Sequence, residues 1–435
     1  MKKDSSARVC IIGAGPSGIT AAKNCLQVGL KNIVVYEKGD QVGGNWVFSP
    51  RLSHSSVYET THIISSRKMS EYSDYPMPAD YPDYPSHKQL LTYFQNYARH
   101  FGVTDYIRFN TEVRHAEKQP DDTWKITLAD GTVEQFDYLL VANGHHWNPR
   151  YPHYPGEFTG EFLHSREYKT AEPFRNKRVL VIGGGNSACD IAVETGRVSA
   201  STAISMRRGY YIVPKFNLGH PADVLNDKIV WLPDVIRKPL LRLALWIAVG
   251  DYANYGLERP THGILSQHLT MNSELLYFIR HGRVHPRRDV ARFDGKTVHF
   301  VDGKAEEYDV VVAATGFIIT HPFFDPSFIN YSEGDVPLYL HVFHPDHPSL
   351  MFIGLVQPLG CIWPLADAQA KLVANTIVGN YTPPADLRQR IADDIAGMKR
   401  QFIKAARHSI EVEYHKHLFA VKREIPPNAP AWSRA

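Results

Sequence analysis

Two short glycine-rich runs, each placed between an apolar strand and a helix, constrain this chain more than any other feature. The first, Gly13-Ala14-Gly15-Pro16-Ser17-Gly18, follows the apolar run Arg8 to Ile12 and opens a helix expected over Gly18 to Val28. In a G-x-G-x-x-G turn the first glycine permits the tight turn and the second lets backbone approach a pyrophosphate. The third lets helix and strand pack closely, and the helix N-terminus faces the phosphates. A second strand, Ile33 to Glu37, ends in an acid 19 residues after Gly18, where a carboxylate can meet ribose hydroxyls. Lys38 beside it is a further candidate contact.

The pattern returns 170 residues later. Strand Arg178 to Ile182 leads into Gly183-Gly184-Gly185-Asn186-Ser187-Ala188, then a helix over Ala188 to Gly196 and a strand over Ala203 to Met206. Here the second strand runs into Arg207-Arg208 instead of an acid. Guanidinium groups suit the 2′-phosphate of NADPH, which a carboxylate would repel. One acid-ended and one arginine-ended loop imply FAD at the first and NADPH at the second. Candidate FAD contacts are therefore Gly13, Gly15, Ser17, Gly18, Glu37 and Lys38; candidate NADPH contacts are Gly183, Gly185, Asn186, Ser187, Arg207 and Arg208.

The fold class expected is α/β, with two Rossmann-like dinucleotide-binding domains and the NADPH domain inserted into the FAD domain. An apolar strand Tyr138 to Ala142, closed by Asn143-Gly144, is matched late by Asp309 to Ala313, closed by Thr315-Gly316. The first domain's sheet is accordingly expected to resume near residue 286, giving domains 1–170, 171–285 and 286–435. Between the loops lie a helix expected over Lys88 to His100 and strands over Val113-Lys118 and Trp124-Leu128, with Asp130-Gly131 as the hairpin turn. A helix is expected from Pro383 through Ala405.

Composition excludes several alternatives. A formal net charge of +3 in 435 residues gives no field suited to nucleic acid. The four cysteines, Cys10, Cys25, Cys189 and Cys361, form no C-x-x-C or C-x4-C pair. A disulfide scaffold, a zinc ribbon and a dithiol flavin reductase are thereby disfavoured, and no metal site is expected. The start lacks a signal-peptide apolar core, and Leu240 to Val249, interrupted by Arg242, is too short for a bilayer core of roughly 30 Å. A cytoplasmic enzyme is the default. The insertion Ile212 to Leu269 carries an apolar stripe that is expected to pack on the protein body or a second copy, making a homodimer one expectation; a membrane surface is disfavoured.

Between the loops, Phe158-Thr159-Gly160-Glu161-Phe162-Leu163-His164-Ser165-Arg166-Glu167-Tyr168-Lys169 resembles the F-x-G-x-x-x-H-x-x-x-Y-K signature of flavin-containing monooxygenases, which are class B flavoprotein monooxygenases. Gly43-Gly44-Asn45-Trp46, Gly144-His145-His146-Trp147, Ala314-Thr315-Gly316-Phe317 and Gly354-Leu355-Val356-Gln357-Pro358 resemble the same family in the same order. The resemblance implies FAD, NADPH and molecular oxygen, with a flavin C4a-hydroperoxide oxidising the soft nitrogen or sulfur of a small amine or sulfide. Similar Baeyer–Villiger enzymes carry tryptophan and then proline or aspartate where this chain has Tyr168-Lys169, so heteroatom oxygenation is favoured over ketone insertion. A flavin reductase or oxidase is a further alternative.

The resemblance also implies roles for single residues. Gly44, Asn45, Trp46, Gln357 and Thr315 fall near the flavin, as do Asp367 and Gln369. His164 and Tyr168 are candidate catalytic residues, and a purely structural role at a domain junction is weighed equally for His164. A Thr-Asn pair beside the flavin in the family falls on Ile63-Ile64 here, and Ile64 cannot donate a hydrogen bond. Thr61-His62 lies next to it, so His62 is expected to substitute for the missing amide.

Overall fold

A computed structural model describes residues 6–403 and 409–430. The chain divides into two compact units. Unit 1 comprises the chain up to Val47, Arg67–Asn148 and the chain from Ile318 onward; unit 2 comprises Phe48–Ser66 and Pro149–Phe317.

The core of unit 1 is a five-stranded parallel sheet in the order Leu350–Phe352, Tyr138–Val141, Val9–Ile12, Ile33–Tyr36, Ile107–Arg108. Val9–Ile12 is buried at every position, because helices and loops cover both faces of a parallel sheet and leave no polar side to the strand. Helix Pro16–Gln27 packs on Ile362–Ile377. Lys23, 2% exposed, lies in this contact and donates to Asp74 at 2.7 Å and to Asp367 at 2.8 Å. Helix His87–His100 begins at a capping box, Ser86 accepting from the Gln89 N–H and Gln89 reaching back. An antiparallel meander, Val113–Lys118, Trp124–Leu128 and Val133–Phe136, flanks the sheet, with Trp124 fully buried.

Unit 2 repeats this plan. Its parallel sheet runs Val284–Arg287, Ser201–Ser205, Arg178–Ile182, Val310–Ala313, Glu161–His164. Its own meander is Val290–Asp294, Thr297–Phe300 and Ala305–Glu307. In both units a meander interrupts the sheet, before Tyr138–Val141 in unit 1 and before Val310–Ala313 in unit 2.

This arrangement revises the expected organisation. The strand Val310–Ala313 matches Tyr138–Val141 in role, but it belongs to unit 2, where it pairs with Arg178–Ile182 and Glu161–His164. The sheet of unit 1 resumes only at Leu350–Phe352. The cuts expected after residues 170 and 285 therefore fall inside unit 2, because Glu161–His164 and Val284–Arg287 are its edge strands. Phe48–Ser66, flanked on both sides by unit 1, also groups with unit 2.

The late helix spans Leu387–Gln401; Ala405 lies outside the described residues. It is followed by Glu411–Val412, which pairs with Gln357–Pro358, and by helix Tyr414–Glu424. In the insertion, helix Asp234–Val249 buries Arg237, Leu245 and Val249 and leaves Val235, Leu243, Trp246 and Ile247 exposed. Among the described residues no helix is long and apolar enough to cross a membrane.

Candidate active site

The two glycine loops have the same construction. Gly13 has φ +103°, and its N–H donates to the Tyr36 carbonyl at 2.8 Å; Gly183 has φ +143°, and its N–H donates to the Ser205 carbonyl at 2.9 Å. A side chain at either position would strike a carbonyl at the end of the strand that follows the meander: a Cβ on Gly13 would lie 2.7 Å from Ala142 O, and one on Gly183 2.4 Å from Ala314 O. The third small residue differs. A Cβ on Gly18 would lie 1.8 Å from Gly13 O, so only glycine fits, whereas unit 2 accommodates Ala188.

Gly15 and Gly185 are the N-caps of helices Pro16–Gln27 and Asn186–Val198, and neither helix receives a side-chain cap. The contrast with the capping box at Ser86 is chemical: uncapped N–H groups at a helix start are donors for an anion. Both loops thus offer a pyrophosphate backbone donors, and in the second the Tyr210 ring packs against Gly184. Ser17 and Ser187 occupy corresponding half-buried positions at the helix starts.

Around the first loop, Glu37 is 6% exposed and accepts from the N–H groups of Ala14 at 2.8 Å and Gly39 at 2.7 Å. The carboxylate anchors the loop, and its remaining lone pairs are what a ribose could use. Gly44 (φ +54°) meets the loop, since a Cβ there would lie 2.9 Å from the Gly15 Cα. Gly44, Asn45 and Trp46 form a short 3-10 turn in which Trp46 lies edge-on to Trp363 at 5.5 Å and near Phe94 at 6.5 Å. Ser17 abuts Gly354, whose Cβ would lie 2.1 Å from Ser17 Oγ. Lys38 is exposed and stands over the Trp147 ring at 5.4 Å.

Three residues of the later segment divide by what already holds them. Gln357 is half-buried, with Oε1 3.2 Å from His145 Nε2, and keeps its amide nitrogen for another partner. Gln369 is fully buried, accepting from the Gly354 N–H at 2.9 Å and donating to Leu340 O at 3.1 Å, and so ties two loops together. Asp367 accepts from Lys23, Thr20 and Asn24. Burial raises its pKa, but the Lys23 charge and these donors outweigh it and hold the carboxyl below the usual range. Gln369 and Asp367 are thus spent on the protein itself.

In unit 2, Asn186 accepts from the Met271 N–H at 2.7 Å. Arg207 is exposed; Arg208 is half-buried, donates to Gln267 at 2.9 Å and lies over the Tyr210 ring. Thr315 donates to the Arg150 carbonyl. His164 is fully buried between the rings of Tyr151 and Phe317. Its Nδ1 accepts from the Arg166 N–H at 3.1 Å and its Nε2 reaches Gly316 O at 3.0 Å, which requires the Nε2–H tautomer. Burial lowers its pKa to about 4.

Tyr168, fully buried, donates to Glu194 at 2.6 Å and packs edge-on to Tyr58, which donates to Asp190 at 2.7 Å. Ile64 is half-buried beside the buried Ile63. His62 is exposed, with Nδ1 2.7 Å from Thr60 O. Nδ1–H therefore donates inward, and in the neutral ring Nε2 is an acceptor; only the imidazolium offers a donor at that atom.

Residue patterns missed Asp190 and Glu194, and gave Arg166 and Lys169 no task beyond their place in the signature. The four-residue spacing of Asp190 and Glu194 puts both on one helix face, but their partners are remote in sequence and left no signal.

The whole described architecture, two glycine loops of one construction with unlike strand ends, is matched by the flavin-binding monooxygenase-like family over residues 6–429. The chain belongs to that family. It is 36% identical over 431 residues to flavin-containing monooxygenase 5 of Oryctolagus cuniculus, covering 94% of this chain and 80% of that one. It is 32% identical over 446 residues to the N-oxide-forming dimethylaniline monooxygenase 2 of Pan troglodytes, covering 96% and 82%. Among solved structures, S-allyl-L-cysteine S-oxygenase from Allium sativum is similar with a TM-score of 0.72 at 22% identity, covering 96% of this chain and 88% of that one. An open structure of cyclohexanone monooxygenase is similar with a TM-score of 0.72 at 16% identity, covering 96% and 97%. At these identities the two structures speak for the fold. As a member of the flavin-binding monooxygenase-like family, the chain is an oxidoreductase that uses FAD and NADPH.

Proposed function

We propose that unit 1 holds FAD on the Gly13–Gly18 loop, unit 2 holds NADPH on the Gly183–Ala188 loop, and one oxygen atom of O2 passes to the soft nitrogen or sulfur of a small amine or sulfide. The observation that carries the assignment is the pair of like loops with unlike neighbours: a buried carboxylate, Glu37, beside the first and two arginines, one exposed and one half-buried, beyond the second. A relative named for N-oxide formation supports nitrogen as an acceptor.

Bound FAD supplies the redox chemistry, taking reducing equivalents from NADPH and carrying oxygen to the substrate. The chain's own contribution is binding, orientation and dryness. Backbone N–H groups at the Gly15 and Gly185 helix starts hold the pyrophosphates, Glu37 meets the adenosine ribose, and Gln357 offers its amide to the flavin ring. Arg207 and Arg208 take the 2′-phosphate. Ile63 and Ile64 add apolar bulk that excludes water, and His62 directly precedes them in the chain.

Replacing Arg207 and Arg208 by alanine tests the assignment. The expected result is a rise of roughly ten- to a hundredfold in KM for NADPH, with KM for NADH changed by less than about twofold, since only the 2′-phosphate loses its charge-assisted partners. Equal changes for both cofactors would remove the basis for placing NADPH in unit 2. Product analysis with an amine, a sulfide and a ketone then tests the substrate class; oxygenation of the ketone alone would overturn the heteroatom reading.

A further inference from the structure

The segment Phe48–Ser66 leaves unit 1 and is bound into unit 2 by side chains that are buried or half-buried. Arg166 donates to Ser53 O, 3.1 Å from Nε. Lys169, 8% exposed, donates to Ser55 O at 3.0 Å and Val57 O at 3.2 Å, while its own carbonyl accepts from the Glu59 N–H at 2.9 Å. Beyond them, Tyr58 donates to Asp190 and Thr60 to Glu194, the latter carboxylate also receiving Tyr168. Asp190 in addition accepts from Asn272 at 2.7 Å, next to the Met271 N–H that holds Asn186 of the cofactor loop. The helix that opens at the second glycine loop thus carries, one and two turns along, the two acids that grip the segment.

Lys169 is the informative member. Both of its hydrogen-bond partners are carbonyls, not carboxylates, and burial, aided by the like charge of Arg166, brings its pKa down to about 8. Burying a cation against carbonyls costs more than filling the same volume with an apolar chain, so packing alone does not account for it. What the ammonium does supply is three directional donors, and two of them fasten alternate carbonyls of one extended stretch.

We propose that Lys169, Asp190 and Glu194 are positioning residues that hold the Thr60–Ile64 stretch in register with the NADPH-binding helix, and that the efficiency of oxygen transfer depends on this hold. The inference rests on the reading above, in which Ile63-Ile64 take the place of the family's Thr-Asn pair and His62 adjoins them. It assigns to the Tyr168-Lys169 end of the signature a mechanical task within unit 2.

Lys169→Met, Lys169→Arg and Glu194→Gln test this in the FAD-loaded full chain by two readouts. The first is hydrogen exchange of the backbone amides from Val57 to Ile64, expected to quicken roughly tenfold in Lys169→Met and to return toward wild type in Lys169→Arg, which keeps donors for the carbonyls. The second is the share of NADPH electrons that leave as hydrogen peroxide instead of entering substrate. It is expected to rise roughly threefold or more in Lys169→Met, with a smaller rise in Glu194→Gln, while flavin reduction by NADPH stays within about twofold of wild type. Unchanged exchange would overturn the clamp. Faster exchange with an unchanged peroxide share would overturn its role in oxygen transfer. Wild-type protein that sends all its electrons to peroxide would overturn the functional reading and the positioning role with it, and the exchange readout separates that case from a failed clamp.

Discussion

Single residues in this protein divide by whether the fold has already used their polar atoms. His164 sits in the signature run, yet Nδ1 is taken by the Arg166 N–H and Nε2 by Gly316 O, so the ring joins the end of one strand to the turn after its neighbour. We expect His164→Ala to lower stability by about 1–3 kcal/mol, the cost of leaving buried backbone groups unsatisfied. The variant should retain NADPH oxidation at low temperature. Denaturant unfolding alongside initial rates checks this; unchanged stability with lost turnover would return His164 to direct chemistry. Asp367 and Gln369 belong to the same class, since resemblance placed them near flavin while Lys23 and two loops hold their atoms. Gln357 keeps an amide nitrogen to offer, and motif position alone could not separate it from the other two.

At the scale of elements, the helices that open at Gly15 and Gly185 are left uncapped, whereas His87–His100 is capped by its own side chains. The capping box emerged with the structure, whereas the glycine loops were legible as local patterns. The contact between Pro16–Gln27 and Ile362–Ile377 was not, because Lys23 finds Asp367 more than 300 residues away. Removing the cation from this buried group by Lys23→Met leaves two carboxylates facing each other. It should cost about 3–5 kcal/mol of stability, read from urea or guanidinium unfolding. A loss under about 1 kcal/mol would mean that the acids do without their counter-ion, by protonation or exposure to water.

For the whole molecule, buried neutral histidines set the response to acid. Burial lowers His321 to about 4 and His341 to about 3 in unit 1, and His164 to about 4 in unit 2. An unfolded chain protonates histidine near about 6.5, so between roughly pH 6.5 and 4 the unfolded state binds more protons and stability falls as pH falls. Their contribution is fully present above roughly pH 6.5 and is lost as pH drops toward the folded-state values. Tm measured at steps across that range should decline steeply, with flavin fluorescence rising as FAD leaves unit 1. A flat Tm down to pH 4.5 would show that these rings gain their protons without unfolding.

By itself the sequence determined the two loops, their flanking strands and helices, the cofactors they suit and the family they resemble. Each of these is written within a few tens of residues, in glycines of which Gly13, Gly18 and Gly183 admit no side chain and in apolar runs of strand length. Only the tertiary structure decided which sheet each later strand joins. Glu161–His164 and Val310–Ala313 are paired by backbone hydrogen bonds, and those bonds leave no mark on side-chain choice. The same holds for Phe48–Ser66, whose attachment to unit 2 runs largely through its carbonyls and through Tyr58 and Thr60. A carbonyl is present in every residue, so what it binds is settled only when distant chain is folded against it.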